Sequence, residues 1–352
     1  VRSGELTGRN DFFDFLKGIA ITAVVMIHIT QIYAEDPSHS SGTQYFHLNT
    51  FLNGMLRFAI PVFLIASGIL IKPFYSSFEN FKSFYKARAL KLIPPFILLC
   101  ILIDHALPWY QLLYRIISGK TDIPYYFMIV LFQCYLFYPI LRLHKRYDFS
   151  LPAVLLISLF FEYNVSRDYM ATIPLCGRLL FFFYYGIKNR NYFLNFEKLE
   201  PKKNEVYFWL SLIAFHAVFV FAFPERIYNS QYFFGLAVFH LTFIAKRKWN
   251  WTLKSWIARG FTFLGQKSLW IFLTHYQILL FFEKSVVSKN INFYERQPIV
   301  FALGFVTSIA VSTLADFIYQ KISAPFLKKI PNIKTFKNRV SLERQIPASK
   351  AA

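Results

Sequence analysis

The chain has 352 residues, of which 55% are hydrophobic, 20% aromatic and only 16% charged, and its formal net charge is +20. A soluble domain carries about 25% charged residues, so a chain with 43 Phe and a mean hydropathy of +0.37 is excluded from the ordinary soluble enzymes. Repeated apolar runs long enough to cross ~30 Å of hydrocarbon place it in a bilayer instead.

Ten spans are read in chain order, at 15–33, 53–71, 92–107, 124–141, 150–163, 171–187, 206–223, 227–245, 268–283 and 298–319. The fifth, SLPAVLLISLFFEY, is short and polar at its end, which suits a tilted or re-entrant segment. Lys and Arg placement orients the set. With the N-terminus inside, 29 of the 39 Lys and Arg fall in inner segments, 7 in outer loops and 3 within spans. The expected fold is therefore an all-α polytopic integral membrane protein of about ten transmembrane helices with N- and C-termini cytoplasmic. Residues 1–322 form the membrane-embedded domain and 323–352 a basic cytoplasmic tail.

The same distribution accounts for the net charge. It is scattered through short inner loops, as membrane topology requires, and no nucleic acid is expected as a partner. An inner basic surface attracts anionic headgroups of membrane lipids and permits an anionic cytosolic substrate. Cys100, Cys134 and Cys176 all fall inside spans, so no disulfide framework is expected. The first apolar run is read as a retained span, since Asp11 and Asp14 flank it and ionisable residues sit within it. The longest outer loop, 34–52, holds Glu35, Asp36, His39 and His47 but no Lys or Arg.

Ionisable residues inside a membrane cost about 2.5–3.5 kcal/mol on insertion scales and point to function by default. In chain order the first are Lys17 and His28, in FLKGIAITAVVMIH. Eleven residues apart, they share one helix face and are separated by roughly 16 Å along the axis. With Lys17 at one surface, His28 lies near mid-membrane, as a general base or acyl carrier, or as a neutral histidine bonded to a neighbouring helix. Arg57, in RFAIPVFLIASGIL, shares a face with Pro61, two turns before Ser67-Gly68; it is a site residue or an anchor on a kinked packing helix.

Arg88 and Lys91, at i and i+3 before Pro94-Pro95, fit a phosphate clamp or a plain inner-loop topology signal. Arg178, in PLCGRLLFFFYYG, is likewise open between site and structure. Ser268 and His275, in GQKSLWIFLTH, stand two turns apart on one face, with Ser268 suited to a helix start. His216, His240 and Asp316 read as packing or interfacial residues. There is no P-loop, Rossmann fingerprint, zinc-ligand cluster or HExxH, so no metal site is expected.

Taken in order, these pieces resemble membrane-bound acyltransferase family 3, the bacterial surface-glycan O-acyltransferases. The matching segments are FFDFLKGIAITAVVMIH, RFAIPVFLIASGIL, FYKARALKLIPPF, YYFMIVLFQCYLFYPIL and FLGQKSLWIFLTH. The resemblance implies a multi-pass enzyme of the bacterial cell membrane that moves an acyl group, acetyl in the usual case, from cytosolic acyl-CoA to a hydroxyl of a cell-surface or lipid-linked glycan. Acyl-CoA is then a cosubstrate and no cofactor is permanently bound. Cell-envelope glycan-assembly proteins are the implied partners beside membrane lipids.

By the same resemblance His28 is the catalytic base or acyl relay, with Ser67 assisting at the reacting carbonyl. Lys17, Arg88 and Lys91 bind the donor, and Arg57 serves the donor or the oxyanion. Tyr126, Gln133, Arg178, Ser268 and His275 support the acceptor or the site. The family commonly has Arg where Lys17 stands, and a His or Trp where this chain has Tyr125-Tyr126-Phe127. The rival reading is a transporter or flippase of a glycan or lipid-linked sugar; the absence of an inverted repeat speaks against it.

Overall fold

The computed structural model of the protein describes residues 11–34, 44–71, 78–145, 147–164, 175–195, 203–223, 230–248, 255–287 and 293–328. Glu35, Asp36, His39 and the tail beyond Lys328 lie outside the described residues. Among those described, every regular element is a helix.

The first helix, α1, runs Asp11–Ala34 and holds Lys17 and His28 in one uninterrupted element. The expected second span is two helices, α2 (Gln44–Leu56) and α3 (Ala59–Leu70). The break has a local cause. Pro61 has no N–H to give to the carbonyl of Arg57, four residues earlier. The Arg57 N–H turns back to the Gly54 carbonyl at 3.2 Å, and the ladder resumes where Val62 N–H donates to Phe58 at 3.0 Å.

Helix α4 (Phe78–Ile103) begins well before the expected third span and carries Pro94 and Pro95 in its interior. The following loop contains a helix the sequence reading lacked, α5 (Trp109–Ser118), with Trp109, Tyr110, Leu113 and Ile117 exposed. Gly119, in the left-handed region at φ +66°, closes it, the conformation in which a Cβ is costly and glycine is not.

A 3-10 turn, Ile123–Tyr125, leads into α6 (Tyr126–His144), followed by α7 (Ser150–Asn164). A second 3-10 turn, Cys176–Leu179, leads into α8 (Leu180–Lys188), and α9 (Arg190–Leu194) follows. The remaining helices are α10 (Lys203–Ala222), α11 (Gln231–Lys248), α12 (Trp256–Val287) and α13 (Phe293–Lys328). Ser268 thus lies inside α12 and caps no helix start, because the helix begins a full three turns earlier.

Five stretches among the described residues are long and apolar enough to cross a membrane: Asp11–Ile32, His47–Leu70, Ile123–His144, Lys203–Ala222 and Arg296–Ser323. Ser150–Asn164 is apolar but shorter. The outer helices turn large apolar side chains outward, with Phe221 80%, Val218 68% and Val306 66% exposed. Large apolar side chains exposed in this number are a liability in water and normal toward lipid. The chain is a helical membrane protein.

Helix α1 is the centre, packed against α2, α3, α12 and α13. Its crossing with α12 is backbone on backbone. A methyl added to Gly265 would strike the Asp14 carbonyl oxygen and come 2.9 Å from the Gly18 nitrogen, and one added to Gly18 would strike the Phe261 carbonyl oxygen. Helices α3 and α8 cross in the same way, Gly68 against the Phe183 carbonyl and Gly186 against that of Ile65. Lipid offers no hydrophobic drive to bring helices together, so close approach at small residues supplies the packing.

The polar residues read as packing groups find partners within the protein, although among the described residues His240 Nδ1 meets no hydrogen-bond partner. His216 donates from Nε2 to the Gly54 carbonyl at 3.1 Å and accepts the Ser230 hydroxyl at Nδ1, 2.7 Å. His240 stacks on Trp209 with ring centroids 4.1 Å apart and bonds the Tyr185 hydroxyl at 2.6 Å. Asp316 pairs with Lys267. All three cysteines are buried free thiols.

Candidate active site

His28 comes from the second half of α1, where the helix is buried against α12, and is itself 8% exposed. The structure brings His275 of α12 to it, with ring centroids 5.2 Å apart, and the next residue, Tyr276, also packs edge-on against it at 5.2 Å. His275 Nδ1 lies 3.0 Å from the Ile271 carbonyl and 2.9 Å from that of Phe272. A carbonyl only accepts, so Nδ1 carries the proton and Nε2 is left with its lone pair. Among the described residues neither His275 Nε2 nor His28 Nδ1 meets a hydrogen-bond partner. Two buried imidazoles, each with an unengaged nitrogen, are expensive as packing and useful as proton-transfer groups.

His28 lines a cavity of about 290 Å³ with Gln31, Arg57, Tyr126, Arg178 and Gln231. Arg57 is held by Asn53, whose Oδ1 accepts from Nη2 at 2.6 Å; the Asn53 amide donates to the Ile27 carbonyl at 2.9 Å and Thr30 Oγ1 at 3.0 Å. The guanidinium is therefore tied to the α1 turn that carries His28. Arg178 reaches the cavity from the 3-10 turn before α8 and pairs with Glu162. The Ser158 hydroxyl fixes that turn, donating to the Gly177 carbonyl at 2.8 Å and accepting the Phe181 N–H at 3.1 Å.

A second cavity, about 200 Å³, opens at the other end of the same α1 stripe and is lined by Lys17, Ser67, Arg88, Lys91 and Ser268. Lys17 is steadied by Asp14, Nζ to carboxylate 2.7 Å. Arg88 lies over the Tyr135 ring, 5.3 Å from its centroid, a contact that holds the guanidinium in place without using its hydrogen-bond donors. Three cations from two helices thus face one space beside two hydroxyls. Phosphate oxygens suit such a set.

The sequence candidates are therefore divided between two chambers. Lys17, Arg88 and Lys91 meet as a group. Arg57 is on the side of His28, away from those cations, while Ser67 is on the side of the cations, away from His28. Tyr126 and Arg178 join His28, Ser268 joins Lys17, and His275 lies against His28. Gln133 serves the scaffold, its Oε1 accepting the Cys176 N–H at 2.6 Å.

Sequence reasoning missed Gln31, Asn53 and Gln231. Gln31 follows His28 by three residues, so its place on the same face was open to a spacing argument. Nothing local marks Gln231, which α11 brings in from the far side.

Just before α6, outside the membrane-spanning stretch, Asp122 accepts the Ile123 N–H at 2.9 Å. Burial pushes its carboxyl up to about 6. A carboxyl raised on folding favours the folded state fully below its unfolded value of ~3.9 and loses that contribution as pH rises through 6. The melting temperature of the detergent-purified protein should fall between about pH 4 and 6 by the equivalent of about 2 kcal/mol. Asp122→Asn keeps a cap acceptor and should flatten the dependence; an unchanged slope in this variant would assign it to another group.

No curated protein and no solved structure matches the chain. The family model for the acyltransferase domain of acyltransferase family 3 matches residues 10–317, a region that takes in α1, both cavities and every residue lining them. The chain belongs to acyltransferase family 3, and it is a membrane enzyme that transfers acyl groups.

Proposed function

We propose that the protein transfers an acyl group, acetyl in the usual case, from cytosolic acyl-CoA to a hydroxyl of a cell-surface or lipid-linked glycan at the bacterial cell membrane. The observation that carries this reading is the convergence of Lys17, Arg88 and Lys91 in one cavity that adjoins the chamber of His28. By the Lys and Arg asymmetry of a ten-span topology with both termini cytoplasmic, the cationic cavity faces the cytosol. There it meets an anionic donor. The His28 chamber, farther along α1, is open to an acceptor arriving from outside.

The chemistry follows from the positions. The acceptor hydroxyl attacks the thioester carbonyl while His28 takes its proton, and the new C–O bond forms as the carbonyl oxygen becomes an oxyanion. Arg57, tied to the His28 turn through Asn53, is placed to stabilise that oxyanion. Collapse breaks the C–S bond, and the proton on His28 passes to the departing thiolate, leaving ester and free CoA. Ser67, in the cationic chamber, assists in holding the donor.

Purified protein in liposomes supplied with labelled acetyl-CoA and a glycan acceptor tests the reading. Label should appear in an ester on the glycan. Movement of unmodified glycan without label would favour the transport reading instead. Lys17→Ala should raise the donor KM by about tenfold, the scale of one lost charged contact, with kcat little changed. Lys17→Arg should retain most activity. A KM indifferent to Lys17, Arg88 and Lys91 alike would remove the donor site from this cavity.

A further inference from the structure

Both chambers are walled by the same two rings. Phe127, in the first turn of α6, and Phe272, on α12, line the cationic cavity and the His28 cavity alike. Their centroids are 5.4 Å apart with planes inclined at 58°, and both are buried. Phe63 backs Phe127 from the cationic side, centroids 6.2 Å apart. Phe272 also packs on His275, 6.0 Å away, which in turn packs on His28. These two rings therefore stand at the border of the chamber of the three cations and the chamber of His28.

We propose that Phe127 and Phe272 form an aromatic partition through which the acyl end of the donor is threaded, and that the partition restricts the enzyme to short acyl groups and keeps water off the thioester. This rests on the acyl-CoA reading above. The helices behind the rings are tied together, since the Tyr125 hydroxyl donates to the Leu273 carbonyl at 2.7 Å, one residue from Phe272 and two from Phe127. The passage therefore widens by ring rotation rather than by parting α6 from α12. Rotation admits a slender thioester arm, while a long acyl chain must keep the rings apart over its whole length. The His28 chamber, at about 290 Å³, is at the small end for ligand sites and must also take the acceptor hydroxyl. With the rings closed the passage is apolar, so water from the cytosolic side does not reach the reacting carbon to release the acyl group as free acid.

The experiment compares wild type with Phe127→Leu, Phe272→Leu and Phe272→Ala in proteoliposomes supplied with acetyl-, butyryl- and hexanoyl-CoA. Transfer to glycan and acceptor-independent release of free CoA are both measured. Smaller side chains should raise the hexanoyl-to-acetyl ratio by ~10-fold, the scale of discrimination by a methylene or more in an apolar pocket, and should raise thioester hydrolysis.

A second measurement does not depend on transfer. Val130 lines only the His28 chamber. In a Val130→Cys background, a membrane-impermeant methanethiosulfonate confined to the Lys17 side should modify the new cysteine slowly, and about tenfold faster when Phe272→Ala is added. If wild type transfers no acyl group from any acyl-CoA, the functional reading fails, and labelling still judges the partition. Wild-type chain preference, hydrolysis and labelling rate in folded variants would overturn the partition while leaving the acyltransferase reading intact.

Discussion

Replacing His28 with alanine is expected to lower acyl transfer by ~10²–10⁴-fold, the range supplied by a positioned general base, with little change in donor KM. The separation of these effects follows from geometry. Lys17, Arg88 and Lys91 occupy one chamber and His28 the other, and Phe127 and Phe272 line both. His28 Nδ1 has no hydrogen-bond partner among the described residues, and the ring borders an existing cavity. Its removal therefore breaks little structure, and the melting temperature should move by only a few degrees. The check is initial-rate transfer from labelled acetyl-CoA in liposomes. Full activity in a folded His28→Ala protein would end the catalytic assignment.

His275→Ala is the informative companion. His275 bonds two backbone carbonyls of its own helix and packs on His28, so its loss should lower kcat and stability together. That joint fall separates a positioning residue from the base itself.

The largest stability effect is expected at Gly265. A valine there places its Cβ against the Asp14 carbonyl and the Gly18 nitrogen, both backbone atoms that cannot rotate away. Helices α1 and α12 would have to separate, at a cost of about 3 kcal/mol or more given the upper range of overpacking. The same separation would draw His275 from His28 and widen the cationic cavity, because Lys17 and Ser268 ride on the same two helices. The folded, monodisperse fraction after detergent extraction should collapse. Gly260→Val is the control: a Cβ at that position meets nothing within 4 Å, although it lies on the same helix. Equal yields from the two variants would show that the crossing tolerates separation and that close approach is not what holds it.

The membrane class was legible from composition, and most helix positions from apolar runs, because the bilayer obliges each span to satisfy its own backbone. Element ends were less legible. Helix α4 and helix α12 both start about three turns or more before their expected spans, since polar turns continue a helix without adding to the hydropathy signal. Helix α5 was missed because it mixes Trp, Tyr, Gln and Arg in proportions that resemble a loop. The break at Arg57 could be derived from Pro61 alone, by counting back to the carbonyl that loses its donor.

The site divides along the same line. Lys17, His28 and the three-residue step to Gln31 belong to one helix, where 100° per residue determines which side chains share a face. Arg88 and Lys91 share a face for the same reason. The sequence alone determined those pairings. Only the tertiary structure decided that α4 brings its cations to Lys17, that α12 sets His275 against His28, and that Arg57 and Ser67 fall on opposite sides of two phenylalanines. Such placements depend on how closely helices approach, and here that is decided by Gly18 on Gly265 and Gly68 on Gly186. Each pair is far apart in sequence, and a hydrogen in place of a methyl carries no periodicity that would announce its partner.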